Sequence, residues 1–213
     1  MVQLTTPQPS RDPAPTVKAQ KLAYLLFELP DLNRAETFLV DFGLTVAHRE
    51  ADALYLRGTG TEPFCYCARR GDQPRFVGFG LEVSAADDLQ KLAALAGASS
   101  IHTAPHPGGG QCVRLQDPSG FIVEAVSDQT PVAPRPHRAP LDLNYAQQTP
   151  RVNATQRPPL AAPEVLKLGH VVLEVADFQA TCGWYTQHFG FIPSDVQVLS
   201  LIHISEPTRL PGI

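Results

Sequence analysis

Lys21-Leu22-Ala23-Tyr24-Leu25-Leu26-Phe27-Glu28-Leu29-Pro30-Asp31 lines up without a gap on Lys167-Leu168-Gly169-His170-Val171-Val172-Leu173-Glu174-Val175-Ala176-Asp177. Each stretch reads as an apolar strand ending on an acidic helix cap: Leu, Val and aromatic residues favour extended chain, and an Asp carboxylate accepts the first free N–H groups of a helix. The residues behind each cap repeat as well. Behind Asp31, the residues Leu32, Ala35, Leu39 and Phe42 fall at helical spacing and the pattern stops at Gly43; behind Asp177, Phe178, Thr181, Tyr185 and Phe189 do the same and stop at Gly190. Repetition of strand, cap, helix and glycine stop predicts duplicated modules.

Outward from the first copy, short β-rich runs occupy Thr45 to His48, Ala53 to Arg57, Phe64 to Ala68 and Phe76 to Val83. Asp87 and Asp88 open a second helix, Leu89, Leu92, Ala93 and Leu95 give it an apolar face, and Gly97 closes it. Cys112 to Leu115 and Phe121 to Val126 read as a closing hairpin around Asp117-Pro118-Ser119-Gly120, a type I turn sequence. The predicted order is βαβββ, twice.

The chain has 213 residues, 43% of them hydrophobic, which is enough for one good core or two small ones. A formal charge of -4 without a basic block argues against nucleic acid as a partner. No apolar run approaches the roughly 20 residues a membrane span needs, and the polar, Pro-rich start has no signal-peptide core, so a cytoplasmic location is expected. Cys65, Cys67, Cys112 and Cys182 are too scattered for a disulfide framework; Cys65 and Cys67 read as small buried residues on one face of a strand. The 21 prolines are unevenly spread, crowding into residues 7–15 and 131–163, where they forbid helix and ladder alike. The expected division is a disordered tail over 1–16, a complete domain over 17–128, an extended linker over 129–165, and the start of a second domain, strand plus helix only, over 166–198.

These pieces resemble the vicinal oxygen chelate superfamily of glyoxalases, bleomycin-resistance proteins and extradiol dioxygenases. The strand-cap-helix units, Phe79-Gly80-Leu81-Glu82-Val83, and Asp117-Pro118-Ser119-Gly120-Phe121-Ile122-Val123-Glu124 carry the resemblance, over residues 20–127 and 165–198. It implies an α+β fold in which paired βαβββ modules form a cup-shaped mixed sheet. A first domain lacking ligands, followed by one opening on Leu168-Gly169-His170, is most similar to the two-domain extradiol ring-cleaving dioxygenases. Their chemistry needs Fe(II) held by two His and one carboxylate on one face, leaving positions for a diol and dioxygen.

Carried over residue by residue, the resemblance puts Tyr24 at the first His position of the first domain, Phe76 at about the second, and Glu124 at the carboxylate. Glu124 alone cannot hold a metal, so it reads as a vestigial ligand or a rim residue reaching solvent. In the second domain His170 matches the first metal ligand. On spacing alone a lone His on an apolar strand is a packed core residue; the resemblance favours the ligand. Its partners are absent from this chain, because residues 199–213, with His203 inside them, resemble a translated sequencing adapter. Tyr24 and Tyr185 read as core. His102 and His106 read as a solvated loop, since Pro105 and Pro107 deny them a helix, and Gly108-Gly109-Gly110 reads as a flexible turn.

The expected function is that of an extradiol-type dioxygenase acting on a catechol or related aromatic diol with dioxygen. Fe(II) belongs to the intact parent, with none stably bound by these residues, which should be inactive. A homo-oligomer is compatible with this reading. Two others stand beside it: a metal-free small-molecule binding module of the bleomycin-resistance type, and a glyoxalase-like metal-dependent lyase or isomerase.

Overall fold

The computed structural model describes residues 10–84, 86–153, 160–196 and 203–206. Two βαβββ units succeed one another. The first is β1 (Ala19–Leu29), α1 (Leu32–Asp41), β2 (Thr45–Arg49), β3 (Ala53–Arg57) and β4 (Tyr66–Arg70); the second is β5 (Arg75–Val83), α2 (Ala86–Ala93), β6 (His102–Thr103), β7 (Gln111–Gln116) and β8 (Ile122–Ser127). They join in one eight-stranded sheet of order β2-β3-β4-β1-β5-β8-β7-β6. That order is symmetric about the antiparallel β1·β5 pair: each of these strands has a parallel neighbour on its far side, β4 for β1 and β8 for β5. This is the expected α+β cup of paired modules.

β1 is paired at both edges, and its residues enter core clusters on both faces, which its near-continuous apolar run reflects. Asp31 caps α1 by accepting the Asn33 and Arg34 N–H groups, each at 3.0 Å. On the outer face, Leu39 of α1 packs with Leu44, Leu54 and Leu56, while Leu89 and Leu92 of α2 pack with Phe79, Leu81, Val113 and Val123. The inner face holds a second cluster around Tyr24, Tyr55 and Phe64. Cys67 belongs to this inner cluster, but Cys65, just ahead of β4, joins the outer one. Both cysteines are buried as expected, yet they do not share a face.

Two described pieces of the Pro-rich stretch run against the loops around β2 and β3. Val132 and Arg135 donate backbone N–H bonds to the Thr61 and Thr59 carbonyls, and farther along Val165 donates to the Gly43 carbonyl while accepting from Thr59. Gly58 is needed for this approach, since a Cβ there would lie 2.5 Å from the Leu166 carbonyl oxygen.

Beyond the linker the expected strand and helix part ways. Residues 168–176 form no strand, and none of the described strands pairs with them. The helix does form, as α3 (Phe178–Phe189), between the Asp177 cap, which accepts the Ala180 N–H at 2.9 Å, and a left-handed Gly190. It packs on the outer face of the second module through Tyr185 and Phe189. The Tyr185 hydroxyl donates to buried Asp117 at 2.9 Å, at the turn between β7 and β8. β9 (Ile192–Val196) then pairs with β10 (His203–Glu206), which lies in the stretch resembling an adapter.

Candidate functional site

The sheet register places Tyr24, Gly80 and Glu124 in one row, because Tyr24 opposes Gly80 across β1·β5 and Gly80 opposes Glu124 across β5·β8. Gly80 lets the two outer members meet. A Cβ at this position would lie 2.5 Å from the Tyr24 Cζ, so only a glycine leaves the phenol room to cross β5. The Tyr24 hydroxyl then donates to Glu124 Oε2 at 2.8 Å.

Two further groups converge on this carboxylate. His106 Nε2 lies 3.0 Å from Oε2, with Nδ1 3.5 Å from the Tyr55 hydroxyl. Arg114, the residue opposite Glu124 in the β7·β8 hairpin, donates to Oε1 from Nη2 at 2.7 Å and from Nε at 3.2 Å. Glu124 is fully buried and His106 is buried with it. Rings close the rest of the space: Tyr24 stacks on Phe64 with centroids 4.5 Å apart, and His106 meets Tyr24 edge-on at 5.3 Å.

Burial alone would raise the Glu124 pKa, but His106, Arg114 and Tyr24 together outweigh it and bring it down to about 2. The carboxylate is therefore ionised, and the nitrogen of His106 facing it is a donor. Burial and the adjacent carboxylate hold the Tyr24 hydroxyl protonated, well above its ordinary range. Burial raises the thiols of Cys67 and Cys112 to about 11 and about 12, which removes the thiolate that nucleophilic chemistry would need.

These facts correct two expectations. Glu124 is not a rim residue, since neighbouring strands seal it in. His106 is not in a solvated loop: Pro105 and Pro107 do exclude a helix, but the rigid turn they form folds the imidazole inward onto a carboxylate that requires a partner. His102 lies on the short strand β6. Arg114 could have been found from sequence, because pairing outward from the turn at 117–120 brings it opposite Glu124.

The resemblance puts a metal carboxylate at Glu124, and its surroundings do not fit one. Both oxygens are occupied by N–H and O–H donors, and a guanidinium sits where a cation would. His170 stands apart, exposed in the stretch that forms no strand. Phe76 lies on β5 against Phe27 and Phe121. Among the described residues no group of three or more His, Cys, Asp and Glu could hold a metal ion.

What remains of the cup beside this network is a cavity of about 200 Å³ walled by Leu26, Phe27, Val77 and Ile122, with Arg69 and Arg114 also on its surface. No described helix is long and apolar enough to cross a membrane.

No protein-family model matches the chain, and no curated protein does. Solved structures do. The Mn(II)-bound glyoxalase from Novosphingobium aromaticivorans superposes with a TM-score of 0.65 at 23% identity, over 84% of this chain and 55% of its own. Homoprotocatechuate 2,3-dioxygenase from Brevibacterium fuscum, in an anaerobic complex with 3,4-dihydroxyphenylacetate, gives 0.51 at 24%, over 60% and 41%. An extradiol ring-cleaving dioxygenase from B. fuscum gives 0.50 at 24%, over 59% and 37%. The chain thus spans about half the length of that glyoxalase and about two fifths of these dioxygenases. With its mirrored β1·β5 pair and flanking parallel strands, the chain has the vicinal oxygen chelate fold.

Proposed function

We propose that this chain carries the metal-free half of a two-domain, metal-dependent enzyme, an extradiol-type dioxygenase of a catechol or related aromatic diol. His170 heads the half that binds Fe(II). The observation that carries this reading is the closed carboxylate of the first domain. Every lone-pair direction of Glu124 faces a donor of the same chain, so this domain acts as scaffold, and a metal must be held elsewhere. His170, at the position matching Tyr24 but exposed, is the residue free to take that part.

Iron analysis with a catechol-cleavage assay tests it. A version of the protein with a complete second module should carry about one iron per chain and open the ring of catechol, and His170→Ala should lose both. The 213 residues alone should do neither, since one imidazole without companions is a weak site. Retention of iron and activity by His170→Ala would overturn the assignment.

A second reading is favoured by the cavity of about 200 Å³ beside Glu124: the first domain is itself a small-molecule binding module that works without metal. The two readings divide on metal: iron and ring cleavage in a version with a complete second module support the first, and ligand binding by the first domain without metal supports the second.

A further inference from the structure

Two arginines and two glutamates line this cavity, but one of the glutamates is paired with an arginine outside it. Arg114 is matched by Glu124, and Glu28, at the opposite wall, is held by Arg75 at 2.9 Å. Arg69 is left over. It extends from β4 against the Tyr55 hydroxyl and the Cys67 thiol, and among the described residues no carboxylate lies within ion-pair distance of it. Burial keeps both neighbours protonated, with Tyr55 raised to about 12 and Cys67 to about 11, so neither neutralises the guanidinium. Arg114 spends Nε and Nη2 on Glu124, leaving Nη1 without a protein acceptor among the described residues. β4 and β7 lie on opposite sides of the central β1·β5 pair, so two guanidiniums bracket a space whose wall between them carries Leu26, Phe27, Val77 and Ile122, with Cys67 and with His106, which is turned onto Glu124.

We infer that the cup of the first domain binds a small, flat monoanion, a single-ring arene carboxylate, with its carboxylate toward Arg69 and Arg114 and its ring against Phe27 and Val77. The apolar wall selects the ring, and the unmatched guanidinium selects the charge. Size restricts the class further: about 200 Å³ falls below the roughly 300 Å³ at which pockets for drug-sized ligands begin. This inference rests on the first domain being a metal-free binding module and is independent of any metal at His170.

Isothermal titration calorimetry on the 213-residue chain decides it, with sodium benzoate, benzyl alcohol and sodium acetate as probes. Benzoate should bind one to one, at least about tenfold more tightly than benzyl alcohol, which keeps the ring but lacks the charge, and than acetate, which keeps the charge but lacks the ring. Arg69→Met should remove most of the preference for benzoate over the alcohol. Glu28→Gln, which removes a carboxylate from the cavity wall, should tighten benzoate several-fold and provides a test that does not depend on how Arg69→Met folds. Equal affinity for benzoate and benzyl alcohol would overturn the anion assignment while leaving a small-molecule cup. Binding of none of the three probes would overturn both. Benzoate affinity unchanged in both variants would place the anion outside this cavity and overturn the inference.

Discussion

Tyr24 and His170 hold the same position in two matching eleven-residue stretches, yet one is sealed inside the cup and the other stands in solvent. The first stretch becomes β1 because β4 and β5 flank it and satisfy its backbone on both sides; residues 168–176 carry a similar apolar pattern but pair with no described strand. The helices behind the two stretches tell the opposite story. α1 and α3 both form behind an Asp cap, because helical bonds close within four residues whereas a strand depends on partners remote in sequence. Local pattern therefore specifies the helices of both copies but the strand of only one.

The largest contrast should appear when each copy's polar centre is removed. Glu124→Ala takes away the shared partner of Arg114, His106 and Tyr24 and leaves buried donors unsatisfied, which should cost about 3–5 kcal/mol in urea unfolding. His170→Ala, at an exposed site, should stay within about 0.5 kcal/mol. Equal losses would mean that the second stretch is as firmly built in as the first.

Acid should act on the same centre. The folded Glu124 pKa, about 2, lies below its ordinary 4.5, so its contribution is fully present above about pH 4.5 and is lost as pH falls through about 2. Acid unfolding should therefore steepen below pH 4.5, and Glu124→Gln should flatten the pH dependence in that window. A wild-type slope retained by the Gln variant would assign acid sensitivity to other carboxylates.

Gly80→Ala comes next. Its new methyl would strike the Tyr24 ring, displacing the phenol and breaking its bond to Glu124, for a combined cost of about 3 kcal/mol. Tyr24→Phe keeps the ring and loses only the hydroxyl, so it should cost less than Gly80→Ala. The reverse order would show that the ring has room to move.

This row also marks where sequence reading stops. The modules, both helix caps and the turn at Asp117-Pro118-Ser119-Gly120 were legible, because each is written in neighbours or in a short period; the position of Glu124 came from the family resemblance alone, and its burial did not. Nor was His106 legible. It reaches Glu124 from a loop whose inward fold depends on backbone contacts such as the Thr130 N–H to the Gly108 carbonyl, and no periodicity announces these. The split of Cys65 from Cys67 was hidden for a similar reason: the alternation expected for a strand fails one residue before β4 begins.

Smaller effects should separate the two copies at their helices. Tyr185→Phe removes the donor that ties α3 to buried Asp117 and should cost about 2 kcal/mol of α3 docking. The caps then give the finest comparison. Asp31 holds two N–H groups and Asp177 one, and removal of either by Ala should cost about 1 kcal/mol. Where that loss appears should differ. α1 covers the core shared by β3 and the chain before β4, so Asp31→Ala should lower global stability. α3 closes a segment with no strand in the main sheet, so Asp177→Ala should accelerate hydrogen exchange over 178–189 while the amides of β1 and β5 keep their protection. Exchange that rose together in α3 and β1 would show instead that the second copy unfolds only with the first.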